Sequence, residues 1–428
     1  MRLRLRRELG LFETTAYGVG LILGAGIYVI IGEAAGLAGN ALWLSFVFGA
    51  IIASLTGLSF AELGSMFPKE SSVYYYTKQA FRSKFFSFLV GWIFICTAIV
   101  ASATVILGFS SYLYALTGIP KILSGLVLLL LLSLVNFIGI KESSTLNIIF
   151  TSVEVLGLVL IILFGISKAP SINLLEMPKG IGGVLSATAL VFFAYLGFED
   201  IVSVSEEIKN ARKIIPLALV LSIAITSLLY ILTSIAAVSL ANWRELAESP
   251  APMALAASKF LGNNAFVLLS FIALFSTTNT ALIMLIVASR MIYGMAYERS
   301  LPRILSKIHP TRRTPHYAIL ITMLATAPFL FFKDIGFVAR VTNFGSFFIF
   351  ILVNLSVIAL RYKRPLAKRP FKIPLSLKRL PLIPLAGLIL TFLLILKLDI
   401  YSIGLGLILI LSGVIVYKYL EISKFSRR

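Results

Sequence analysis

The chain has 428 residues, 59% of them hydrophobic and 13% charged. A soluble globular chain is roughly half apolar and about a quarter charged, so this composition excludes an ordinary soluble domain. The net charge of +20 would suit a nucleic-acid partner. The Lys and Arg residues, however, sit almost entirely between apolar runs, which is the pattern of a membrane protein with no nucleic-acid role. The one cysteine, Cys96, can make no internal disulfide, and no disulfide-linked partner subunit is expected. His309 and His316 lie in a basic loop and indicate no metal site, and no cofactor is expected.

Twelve apolar segments follow in order, at about 11–37, 41–67, 84–116, 121–140, 143–166, 182–205, 214–240, 263–297, 316–332, 336–360, 380–397 and 399–419. Each is of the length that spans a bilayer as a helix, so the chain reads as an all-α polytopic membrane protein. The basic N-terminus (Arg2, Arg4, Arg6, Arg7) precedes a run too long for a signal-peptide core. Most of the 38 Lys and Arg residues fall on one set of alternate loops together with both termini. That bias places both termini in the cytoplasm.

Segments 1 to 5 (about 11–166) and 6 to 10 (about 182–360) correspond in length, and the third of each half is the longest. Five helices is an odd number, so the second half inserts inverted relative to the first, as in many secondary transporters. Segments 11 and 12 (about 380–419) lie outside the repeat. The whole of 1–428 reads as one transmembrane domain.

In such a repeat, interrupted segments at matching positions point to the site. The first is GVGLILGAGIYVIIGE (18–33) and the second ATALVFFAYLGFEDIVSVSEE (187–207). Helices broken there expose amides at the start of one half-helix and carbonyls at the end of another. The amide end favours a carboxylate, and the carbonyls accept from an ammonium group. An α-amino acid carries both. Close helix packing is the alternative, since Gly20/Gly24 and Gly32/Gly36 form GxxxG pairs.

These residues resemble the amino acid–polyamine–organocation (APC) superfamily of transporters. The resemblance rests on Gly24-Ala25-Gly26-Ile27, on Phe193-Ala194-Tyr195 with Gly197-Phe198-Glu199, and on Glu206-Glu207-Ile208-Lys209-Asn210 with Ile215-Pro216. Ser289-Arg290, Tyr293-Gly294-Met295-Ala296, Leu301-Pro302 and Thr314-Pro315 add to it. GAGIYVIIGEAAG and FAELGSMFPKE look closest to the cationic amino acid transporter branch. Ala211, Ser71-Ser72 and Arg299-Ser300 depart from the family's pattern. The resemblance implies a LeuT-type five-plus-five inverted repeat with twelve transmembrane helices, helices 1 and 6 discontinuous. It implies uptake of L-amino acids across the cell (plasma) membrane by alternating access. The α-carboxylate would lie on amides near Ala25, Gly26 and Ile27. The α-amino group would meet carbonyls near Phe193, Ala194 and Tyr195, beside Gly197.

For the coupling ion, Glu154 stands inside segment 5, where a carboxylate is costly and most often functional. In proton-coupled relatives a helix-five lysine replaces a sodium ion, and Glu154 falls at or beside that position, a proton-coupling candidate. A structural hydrogen bond, or a sodium site with Ser276 or Thr277, remains open. Glu33, Glu199 and Asp200 are gating or structural acids, and Glu62 an interface anchor. An enzyme is not expected, because no HExxH, nucleophile elbow or paired Asp-rich motif is present. Sodium symport, exchange and a non-transporting sensor are the alternatives to proton symport.

Overall fold

The computed structural model describes residues 9–68, 72–139, 144–205 and 208–425. Arg2 to Arg7, Ser71, Lys141, Glu206 and Glu207 lie outside the described residues.

The chain is helical nearly throughout. The elements are α1 (Leu11–Ile22), α2 (Gly26–Ala38), α3 (Leu42–Met66), α4 (Ser72–Phe81), α5 (Lys84–Thr117), α6 (Lys121–Ile138), α7 (Ser144–Gly165) and α8 (Gly180–Tyr195). They continue as α9 (Ala211–Leu240), α10 (Trp243–Glu248), α11 (Pro252–Leu261), α12 (Asn263–Tyr297), α13 (His316–Thr326), α14 (Ile335–Lys363), α15 (Leu382–Ile395) and α16 (Ile400–Phe425). A two-residue hairpin, Ser376–Leu377 with Leu380–Pro381, precedes α15.

Among the described residues, nine helical stretches are long and apolar enough to cross a membrane. Two further apolar helices, His316–Phe331 and Leu382–Ile395, are shorter. Gly26–Met66 counts once by length, although Gly39 at φ +68° ends α2 within it. So many long apolar helices in one chain are those of a multi-pass membrane protein.

Three helices were not apparent in the apolar pattern. α4 lies in what reads as the 68–84 loop, and buries Val73, Tyr76, Thr77 and Ala80. That spacing is one face of an amphipathic helix, too short and too polar to register as a span. α10 and α11 are short for the same reason.

The longest helices, α5 and α12, have 34 and 35 residues, or about 50 Å each. They pack along one another, and α3 packs along α9. α14 rests on α5 and α15. An aromatic seam fills the centre. Phe46, Tyr230, Tyr195, Phe192, Phe347, Phe350, Phe60 and Phe198 meet at centroid distances of 5.1–6.4 Å. Apolar residues of α6 (Leu123, Leu130, Leu131, Leu134) and α16 (Ile408, Leu411, Ile415) face outward.

One buried ion cluster ties a loop to the bundle. Glu62, 1% exposed, accepts from Arg361 Nε at 3.1 Å and from the Ile373 amide at 2.9 Å. Arg369 Nε lies 3.3 Å from Glu62 Oε1, the oxygen that also takes Arg361 Nε. The residue expected to anchor an interface is thus the hub of a clasp between α3, α14 and the segment before α15.

Candidate functional site

The chain is interrupted at both stretches singled out in the sequence. Leu23, Gly24 and Ala25 separate α1 from α2. α8 ends at Tyr195, Leu196 turns extended, and Gly197 adopts φ +114° before a 3-10 turn over Phe198–Val204. A Cβ on Gly197 would meet the Leu21 carbonyl, so glycine is needed there twice over, for its dihedral and for space.

The two breaks cross. A Cβ on Gly26 would lie 2.6 Å from the Ala194 Cα. Packing of one break on the other therefore requires glycine at 26 whether or not a ligand binds. Gly32 and Gly36 likewise lie against Leu246 and Ala247 of α10, so that GxxxG pair serves packing.

A cavity opens where the breaks meet. Leu21, Ile22, Gly24 and Gly26 line it from the first, and Phe193, Leu196, Gly197, Glu199 and Asp200 from the second. α5 contributes Phe94, Thr97, Ala98, Ala101 and Val105, α12 contributes Thr280, Met284 and Val287, and α14 contributes Ser346, Ile349 and Phe350. Most of this wall is apolar. Glu199 Oε2 accepts from the Gly197 amide at 3.0 Å, and the Asp200 amide donates to the Gly197 carbonyl at 3.0 Å. Among the described residues no lysine or arginine lines it.

Of the eight expected backbone residues, Gly24, Gly26, Phe193 and Gly197 line the cavity. Ala25, Ile27, Ala194 and Tyr195 are buried outside the lining. Two of the freed backbone groups already have partners. The Ala25 amide donates to Thr280 Oγ1 at 3.0 Å. The Ala194 carbonyl takes the Tyr230 phenol at 2.9 Å. Amides in the first turn of α2, from Gly26 onward, have no acceptor within the helix.

Tyr230 of α9 is the residue the sequence did not reveal. Its oxygen lies 2.6 Å from the Ile22 carbonyl and 2.9 Å from that of Ala194, so one phenol proton serves both breaks. A tyrosine in mid-span, away from the interfacial belts where tyrosine is common, was the available signal.

The remaining candidates lie elsewhere. Glu154 is buried in α7, and its backbone carbonyl accepts from the Tyr28 phenol at 3.0 Å. Among the described residues, the buried Glu154 Oε1 and the buried Ser276 Oγ of α12 have no hydrogen-bond partner. Thr277 Oγ1 donates to the Ala273 carbonyl at 2.7 Å. Glu33 lines a second cavity beyond Tyr28 and Val29.

Known proteins place the chain. The amino acid permease family matches residues 9–420. A branched-chain amino acid permease of Bacillus subtilis (strain 168) is 31% identical over 96% of this chain and 92% of its own. A methylthioribose transporter of the same organism is 31% identical over 91% and 88% of the two chains. The vacuolar cationic amino acid transporter 4 of Arabidopsis thaliana is 29% identical over 85% and 64%. These relatives are transporters, and none is named as an enzyme. The chain belongs to the amino acid permease family of the APC superfamily.

Proposed function

We propose that this amino acid transporter is a proton-coupled secondary active carrier that takes up L-amino acids with apolar side chains by alternating access. It would sit in the cell membrane with twelve spans, both termini cytoplasmic and a LeuT-type inverted repeat. The packing of α3 on α9 and of α5 on α12, equivalent members of the two halves, supports the repeat. The observation that carries the functional reading is one cavity lined by both breaks.

The α-carboxylate would lie on the open amides at the start of α2, where the half-helix dipole favours an anion. The ammonium group would face the second break, with Glu199 and Asp200 beside it. The side chain would then extend toward Ala98, Ala101, Val105 and Met284. That wall favours leucine, isoleucine and valine over lysine or arginine, because a cation there would have no partner. The printed name of the branched-chain relative agrees with this side-chain class. Glu154, with an unpartnered carboxyl oxygen, would carry the proton. Sodium coupling through Ser276 and Thr277, or exchange, is the competing mechanism. A Thr277 hydroxyl donating to its own helix still leaves its lone pairs for an ion, so uptake with each gradient imposed separately must decide.

Thermal stability of the purified protein against the twenty amino acids tests the specificity. A ligand at a hundred times its Kd stabilises the native state by about 2.7 kcal/mol. Leucine, isoleucine and valine should raise the melting temperature, and lysine and arginine should not. No shift with any amino acid would overturn the reading.

A further inference from the structure

Eight Lys and Arg residues crowd residues 361–379, and between Asp334 and Asp399 the sequence holds no acidic residue. Four of the eight turn inward. Arg361 and Arg369 serve Glu62, Lys363 Nζ donates to the Ala80 carbonyl at 3.0 Å, and Arg364 Nη1 donates to Gln79 Oε1 at 3.1 Å. The other four, Lys368, Lys372, Lys378 and Arg379, are exposed. Among the described residues none of these four forms an ion pair.

Three leucines stand among those cations. Leu366, Leu375 and Leu377 are 98%, 68% and 67% exposed. They lie outside the apolar helices, where a leucine facing lipid needs no explanation. Clustered exposed apolar groups rimmed by charge mark a contact surface.

The backbone is shaped to present them. Leu375 and Lys378 take φ of +57° and +55°, a conformation that crowds the Cβ of any residue but glycine. Behind them the segment is fixed. Arg361 Nη1 donates to Ser376 Oγ at 2.6 Å and Nη2 to the Ile373 carbonyl at 3.1 Å, and the Leu382 amide donates to the Leu375 carbonyl at 3.0 Å. The hairpin is therefore a braced projection with its leucines and cations turned outward.

Its depth follows from α15, which it opens. That helix has 14 residues, about 21 Å, against a hydrocarbon thickness of about 30 Å. A span that short draws its flanking residues toward the membrane–water interface.

We propose that residues 366–379 form a docking surface for anionic phospholipid. Leu375 and Leu377 enter the boundary between headgroups and acyl chains, while Lys368, Lys372, Lys378 and Arg379 meet the headgroup charge. Four unpaired cations with no nearby acid on their own segment select a net-negative headgroup, since a zwitterionic one brings its own cation. The surface is independent of what the central cavity binds, so its failure leaves the proposed function standing.

The test places an environment-sensitive fluorophore on Leu377→Cys in a Cys96→Ala full chain, reconstituted in lipid nanodiscs. Headgroup spin-labelled phosphatidylglycerol or phosphatidylcholine is the quencher. At about 0.1 M salt the anionic lipid should quench at least about threefold more strongly, and at about 1 M salt, where the screening length falls from ~10 to ~3 Å, the preference should vanish. It should also vanish in Lys368→Gln/Lys372→Gln/Lys378→Gln/Arg379→Gln. Equal quenching by the two lipids would overturn the charge recognition. A preference that survives in the fourfold variant would overturn the assignment to these residues. Quenching by neither lipid would place the hairpin in water, a surface for an acidic soluble protein, and would overturn the proposal outright. Leu375→Cys carries the same label and the same expectations should the Leu377→Cys chain melt early.

Discussion

Replacing Tyr230 by Phe removes one oxygen and leaves its ring contacts with Tyr195 at 5.4 Å and Phe46 at 5.7 Å in place. The Ile22 and Ala194 carbonyls then lose their shared donor. A buried acceptor left without a partner costs about 1–3 kcal/mol. One proton divided between two acceptors belongs near the lower end, so a loss of about 1.4 kcal/mol is expected. If the phenol's task is to keep the two breaks in register for a ligand, this loss falls on the bound state. Leucine affinity should then drop roughly tenfold. Ser45→Ala is the control, since Ser45 Oγ donates to the Val184 carbonyl at 2.9 Å in an equally buried setting away from both breaks. It should lower the melting temperature by a similar amount without changing affinity. Binding to Tyr230→Phe as tight as to the native protein would refute the reasoning. So would an equal loss of affinity in Ser45→Ala.

Three further predictions concern other groups. Glu62→Gln leaves Arg361 and Arg369 buried without their counter-charge, so denaturation in detergent should show a loss of about 3–5 kcal/mol. Pairing it with Arg361→Met should recover part of that loss, and a near-neutral single variant contradicts the clasp. In liposomes, Glu154→Gln should abolish uptake driven by a proton gradient while leucine counterflow persists, and undiminished proton-driven uptake rules Glu154 out. At Asp399 burial pushes the carboxyl up, but the bonds from Ser402 and the charge of Arg340 outweigh it and hold the group below its usual value. A group lowered on folding contributes stability above its unfolded value of about 3.9, and loses it as pH falls through the folded value. Amide protection at Ser402 and Ile403 should therefore hold from neutral pH to about pH 4 and decline below it. Loss of protection on raising the pH would contradict the sign.

Much of this was legible in the sequence. The apolar pattern puts the two longest segments at 84–116 and 263–297, and the helices there end within a residue of those limits. Long apolar runs report on themselves, because a bilayer leaves the backbone few alternatives. The breaks were legible for the opposite reason, as glycines and acids stand out against such runs. Their chemistry was only half visible. The glycine motif did not indicate that Gly26 faces the Ala194 backbone, nor that Thr280 takes the Ala25 amide. Both depend on residues some 170 to 255 positions away, brought close only by folding. Tyr230 was hidden by its neighbours, a single phenol in a run of Ile, Leu, Ser and Thr whose partner carbonyls leave no mark in a sequence. α4 was missed because period-3.6 amphipathicity over ten residues is weak beside the membrane spans.

The tethering of α1 has a mechanical consequence. At one end the Lys209 amide donates to the Leu9 carbonyl at 2.8 Å. In the middle Ser222 Oγ donates to the Thr15 carbonyl at 3.1 Å, and at the other end Tyr230 holds Ile22. α2, the covalent continuation, packs instead on α8 and α10. So α1, some 18 Å long, is joined to α2 by three residues of peptide but to the second half of the chain by bonds along its whole length. Order along the chain and order of movement differ here. A force on α9 reaches α1 before it reaches α2, and a nick between Ile22 and Gly26 would leave α1 seated in the bundle.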